Sequence, residues 1–156
     1  MIRRAAVVCC AVLASLLLLA LCADAKSKCG STKDKCVAKS AVSLLTCHAA
    51  AEKKGKALDP ECIQKAEDKL GDCFTKAEDK GGCCTTGDAA ALGAKVGAFV
   101  DDVVQQVDPG FPAVVRNKCS AGKKKCVAKK AKGLLTCHAE AAKEGLPTDP
   151  ICLQKA

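Results

Sequence analysis

Cys47-His48 and Cys137-His138 each set a thiol beside an imidazole, the pairing that soft-metal binding, haem attachment and thiol redox chemistry all draw on. Each of those chemistries also needs further residues at fixed spacing. Covalent haem attachment uses C-x-x-C-H, and the positions where the first cysteine would stand hold Leu44 and Leu134. Redox catalysis favours C-x-x-C with a depressed thiol pKa, and the chain has no such motif. Cys83-Cys84 is the one unusual arrangement; one of the pair is expected to bond Cys29, leaving the other reactive or bonded to another chain. Hydrolysis has neither G-x-S-x-G nor H-E-x-x-H to work with, and Asp101-Asp102 falls on the polar face of a helix. The expectation is a non-enzyme with no catalytic residue, no cofactor and no metal site, in which His48 and His138 are half-buried beside disulfides. The competing reading is a metal-handling or thiol-redox protein that uses His48 with Cys83 and Cys84.

These residues belong to a larger pattern. Residues 29–66 recur without a gap at 119–156, with 23 of 38 positions identical. Cys29, Cys36, Cys47, His48, Asp59, Pro60 and Cys62 return as Cys119, Cys126, Cys137, His138, Asp149, Pro150 and Cys152. Self-similarity at a fixed period implies repeated supersecondary units. The expected layout is a signal peptide at 1–25, a first three-helix unit at 26–107, a linker at 108–118, and a second unit at 119–156. That second unit is read as cut off after the start of its second helix, since Cys73, Cys83 and Cys84 have no counterparts.

The elements that must position the cysteines follow from periodicity. Ser31 to Ala51 carries Cys36, Val37, Ala41, Leu44, Leu45, Cys47, His48 and Ala51 at steps of three and four, which predicts an amphipathic helix. Ser31 with Asp34 resembles a capping box, and Gly55 stands at a C-terminal cap. Asp59-Pro60-Glu61 starts a second helix with Cys62, Ile63, Ala66, Leu70, Cys73, Phe74 and Ala77 inward, ended by Gly81-Gly82. Cys36 and Cys47 are eleven positions apart, as are Cys62 and Cys73, and eleven residues make about three turns, or about 16 Å. Folded antiparallel, the helices predict the disulfide rungs Cys36–Cys73 and Cys47–Cys62, with Cys137–Cys152 as the matching rung of the second unit and Cys29 bonded to Cys83 or Cys84. A third helix, Asp88 to Val107, would pack through Leu92, Val96, Phe99, Val103 and Val107, held by packing alone. The fold class expected is all-α: a disulfide-stapled antiparallel helical hairpin plus a third amphipathic helix, repeated with a 90-residue period.

Residues 36–73 resemble, in spacing and topology, the twin C-x9-C coiled-coil-helix hairpins of the mitochondrial intermembrane space, with C-x10-C in their place here. The fuller pattern, K-C-V-A-K followed by T-C-H-A and D-P-x-C-x-Q-K-A, is similar to a family of secreted bacterial Cys-rich repeat proteins. That resemblance implies a compartment and a repeat, and no activity.

Composition narrows the partners. Arg3 and Arg4, the apolar run from Ala5 to Cys22 and Ala23-Asp24-Ala25 read as a secretory signal. Retention as an anchor and acylation of Cys22 are the other readings, the second opposed by Leu21. Of 14 cysteines, Cys9, Cys10 and Cys22 lie in that segment, and the remaining density in an exported chain means disulfides. Beyond it the net charge is +7, but Arg116 is the sole arginine and there is no Tyr or Trp. Without Arg forks or aromatic platforms, nucleic acid is a poor candidate and is not expected as a partner. The expectation is a secreted, periplasmic or cell-envelope protein with no membrane span after signal cleavage. It would be a structural or binding module for an unknown protein or envelope-surface partner, or else a small secreted inhibitor or toxin.

Overall fold

Only three Phe and no Tyr or Trp are available for a core, so helix ends, disulfides and small residues carry much of the folding. The computed structural model describes residues 27–108 and 110–156, so the signal-peptide reading of 1–25 lies outside the described residues. Five helices and no strand occur among them: α1 (Lys28–Lys54), α2 (Pro60–Glu78), α3 (Ala89–Val107), α4 (Lys118–Glu144) and α5 (Pro150–Lys155).

α1 begins four residues before the point a Ser31–Asp34 capping box requires. Ser27 is the N-cap, its Oγ accepting from the Gly30 N–H at 2.8 Å. Ser31 is buried in the first turns instead. The Cys29–Cys83 disulfide, with its Cα atoms 5.1 Å apart, anchors that early turn, so the helix has tertiary support upstream of Ser31. The C-terminus follows the glycine rule: Gly55 adopts φ 64°, its N–H donates to the Glu52 carbonyl and Lys56 N–H donates to the Ala51 carbonyl. These two bonds satisfy carbonyls that the last helical turn would leave bare. α2 opens as its sequence implies, with the Asp59 carboxylate accepting from Glu61 N–H at 3.0 Å and Pro60 at the first helical position.

The hairpin of α1 and α2 is held by both expected rungs, Cys47–Cys62 and Cys36–Cys73, with Cα separations of 5.9 and 5.8 Å. Gly81 and Gly82, at φ 75° and 72°, turn the chain back after α2. That reversal is what lets Cys83 reach Cys29. Ala66, Leu70, Phe74 and Ala77 form the buried stripe of α2, and Phe74 packs with Leu70 against Cys36.

α3 is rotated relative to its expected face. Val96, Val100 and Val104 are buried, whereas Phe99 is 39 % exposed. The valines enter a cluster with Ala41, Leu44, Leu45, Ala66 and Ala128, where three other helices converge and a slim, regular i, i+4, i+8 row fits better than a ring. Gly93 lies against Leu70, whereas Gly97 faces open space.

The most extensive interface is α1 against α4. The two run antiparallel and are tied backbone to backbone at both ends: Ser27 N–H donates to the Ala142 carbonyl at 2.9 Å, and Asn117 N–H donates to the Glu52 carbonyl at 3.2 Å. Each residue in the first bond has its counterpart ninety positions away in the second. α4 is capped by Asn117, which accepts from Cys119 and Ser120 N–H, and closes on Gly145 at φ 66°. Asp149 caps the short α5, and Cys137–Cys152 joins it to α4.

Gly55 carries the clearest local constraint. A Cβ there would stand 2.9 Å from the Arg116 Cβ, on a left-handed backbone that L side chains resist. Gly55→Ala is expected to lower stability by about 1–2 kcal/mol in chemical denaturation, before any added cost of displacing Arg116.

Candidate functional site

Lysine among scattered acids reads as a solvated face, yet two lysines are buried. Lys124 lies on the inward stripe of α4 with Ala121 and Ala128, so the pairing of α1 with α4 takes its ammonium out of water. It reaches the Glu52 carboxylate of α1 at 2.6 Å and Asp108, just past α3, at 3.3 Å. The Lys124 and Glu52 side chains are each 1 % exposed and Asp108 6 %. Glu52 Oε1 is buried with no hydrogen-bond partner among the described residues. Asp108 is thus part of the core, although its sequence position marks the start of a linker. Ser120 fastens the same junction, its hydroxyl donating to the Val107 carbonyl at 2.6 Å.

Lys33 holds the open end of the α1–α2 hairpin. Its ammonium donates to Asp88 Oδ1 at 2.6 Å and to the Thr85 carbonyl at 2.7 Å, and pairs with Glu78 Oε1 at 2.7 Å. The same atom lies 5.2 Å from the centre of the Phe74 ring, within cation–π range. Burial opposes the charge on Lys33, but the bonds and charges of Asp88 and Glu78 outweigh it and raise the pKa above the ordinary lysine value. The hydrogen bond from Lys33, with one from Thr85, holds the Asp88 carboxyl below the usual range. Asp88 therefore marks the start of α3 without capping it. α3 is held by this ion cluster as well as by packing.

The sequence-predicted residues divide into two groups. Cys29, Cys36, Cys47, Cys62, Cys73, Cys83, Cys137 and Cys152 are brought together in four disulfides, and Cys83 rather than Cys84 bonds Cys29. His48 is not brought to Cys83 and Cys84. It lies nineteen residues along α1 from Cys29, about 28 Å by helical rise. It is half-buried instead near the Lys124 cluster. Burial, and then the Lys124 charge, lower its pKa, against a smaller opposing pull from Asp101, Asp108 and Glu52. His138 is exposed, with Nδ1 3.0 Å from the Thr148 hydroxyl. Asp34, the counterpart of Lys124, is half-buried with its pKa raised by burial, the nearby His138 opposing that rise. Asp101 and Asp102 are exposed on α3.

An apolar groove of about 460 Å3 lies between α1, α3 and α4. Val37, Leu92, Phe99, Val127, Leu134 and Leu135 line it, with Lys95, Lys130 and His138 at its polar edge. Sequence reading gave no sign of it, because Leu134 and Leu135 match Leu44 and Leu45, which are covered.

Fold and site together define an all-helical, disulfide-stapled protein organised around buried ion clusters. Comparison with known proteins finds no matching family model, no matching curated protein and no matching solved structure. Among the described residues no helix is long and apolar enough to cross a membrane.

Two measurements probe the cluster. Lys124→Met leaves Glu52 and Asp108 buried without a cation, and should cost about 3–5 kcal/mol in urea denaturation. Adding Glu52→Leu should recover part of that loss, whereas additive losses would show that the two side chains do not act as a pair. His48 has its pKa lowered in the fold, so below its unfolded value of 6.5 the unfolded chain takes up a proton that the folded chain resists. Stability from this group is present above that value and is lost as pH falls towards the folded one. The melting temperature should therefore decline between pH 7 and pH 5, and His48→Gln should flatten the decline; equal slopes in both proteins would refute the assignment.

Proposed function

We propose that the chain is a secreted, non-catalytic structural or binding repeat protein whose ninety-residue unit is a disulfide-laddered hairpin with one packed helix. The reading rests most on the α1–α4 pairing, in which equivalent positions of the two repeat copies exchange the bonds Ser27–Ala142 and Asn117–Glu52. A repeat whose copies bury one another is built to present surfaces, and most of its reactive groups are absorbed in holding it together. Lys33 and Lys124 are consumed in ion clusters, and eight cysteines are consumed in disulfides.

The disulfides also support an oxidising compartment, because the core is too thin to stand without them. A loop closed across 15 residues, as by Cys47–Cys62, stabilises by about 3 kcal/mol, and the 37- and 54-residue separations of Cys36–Cys73 and Cys29–Cys83 by about 4 kcal/mol each. Cytosolic reduction would remove all of it.

Expression of the full chain, residues 1–25 included, tests the reading. The exported product should yield Cys29–Cys83, Cys36–Cys73, Cys47–Cys62 and Cys137–Cys152 on non-reducing peptide mapping, and dithiothreitol should abolish its helical circular dichroism. A chain that stays inside the cell with every thiol reduced, and remains helical, sinks it.

A further inference from the structure

Three differences between α1 and α4 point to one missing neighbour. On α1 the cysteine stripe Cys29, Cys36, Cys47 is fully bonded, whereas on α4 only Cys137 is bonded, and Cys119 and Cys126 are exposed thiols. Seven residues apart, these two lie on one side of α4 about 10 Å from each other, too far to bond together. Leu44 and Leu45 of α1 are 6 % and 0 % exposed beneath Ala66 of α2 and the valine row of α3, whereas Leu134 and Leu135 of α4 lie in the open groove. Lys33 of α1 is buried against Glu78 and Asp88, whereas its counterpart Lys123 on α4 is exposed. Apart from Cys62, Ala66 and Ala128, what covers α1 at these points comes from one stretch, residues 67–107.

Charge supports the same occupant. From Lys118 to Lys132, α4 carries seven lysines and no acid, while residues 67–107 carry eight acids and four lysines. A segment of that kind would bring acid to a basic rail, two cysteines ten residues apart to Cys126 and Cys119, and a valine row to Leu134 and Leu135.

We propose that the open face of α4, from Cys119 to Leu135, is a docking surface for a further copy of the helical segment represented in this chain by residues 67–107. The segment is locked there by two disulfides. This rests on the repeat reading of the function. Each bond forms by thiol–disulfide exchange with a glutathione-type oxidant: one thiolate attacks oxidised glutathione and releases a glutathione thiol, and the partner thiolate then displaces the second. One disulfide forms, one oxidised glutathione becomes two reduced molecules, and the two protein thiol protons end on them.

The test uses the full chain with its four disulfides mapped, incubated in glutathione buffer with a mass-labelled synthetic peptide of residues 67–107 carrying Cys84→Ser. The expected product is a one-to-one adduct with peptide Cys73 on Cys126 and peptide Cys83 on Cys119. It should form at least ~10-fold faster than with a peptide bearing Val96→Ser, Val100→Ser and Val104→Ser, since the row loses its apolar burial in that peptide. Scrambled connectivity, equal rates for the two peptides, or chain dimers linked through Cys119 or Cys126 in place of the adduct would each overturn the proposal. Failure of the repeat reading is separable, because it appears in the disulfide map before any peptide is added.

Discussion

The antiparallel contact of α1 with α4 is the constraint on which the remaining structure depends. Both helices bury small residues, Ala38, Ala41 and Ala49 on α1 and Ala121, Ala128 and Ala139 on α4, so their backbones can approach closely. Small side chains give little transfer energy each, and the pairing compensates through length and through its ends. With a backbone hydrogen bond at either end, the first amide of each capping turn is satisfied by the last turn of the other helix. α3 then has a surface to lie on, since its valine row touches residues of both long helices.

Lys124 fixes the register of that contact. An ammonium buried among alanines is tolerable only where carboxylates meet it, and a slip of one turn, about 5.4 Å, would carry it away from Glu52. Apolar stripes alone would permit such slips. Asp108 closes the cluster from the end of α3, so the same lysine that sets the α1–α4 register also locates the start of the segment leading into α4. Lys33 does the parallel task at the hairpin's open end, drawing together the end of α2, the Thr85 turn and the start of α3 over the Phe74 ring.

The hairpin was legible in the sequence because covalent chemistry and helical period agree there. Eleven-residue cysteine spacing can be satisfied by an antiparallel pair at both rungs, and Asp-Pro and Gly55 mark the turn between them. The face of α3 was less legible, since Phe99 outranks valine in hydrophobicity but not in fit to a narrow cleft. The buried lysines were hidden for a different reason. Lys124 is the middle of three consecutive lysines, and only the path of α1 across α4 selects which of them turns inward. Its position on the stripe with Ala121 and Ala128 was the available signal, and a lysine on an apolar stripe usually extends its ammonium to water. Asp108 carries no such signal, because its partner is sixteen residues away on a helix whose direction the sequence does not give.

Residues 29–66 and 119–156 differ at positions that bear on the pairing of α1 with α4. Lys124 of α4 faces Glu52 of α1, and ninety positions away the counterpart of Lys124 is Asp34 on α1 and that of Glu52 is Ala142 on α4. If α1 paired in the same manner with another α1, Asp34 would take the place of Lys124 and face Glu52, setting two acids together in a buried site. Were α4 to pair with another α4, Lys124 would face Ala142 and lose its carboxylate. Only the mixed pair satisfies the charge, and like-charge juxtaposition or an unpaired buried ion costs several kcal/mol in the alternatives. The differences at 34/124 and 52/142 thus act together, favouring α1 with α4 over either helix with its own like.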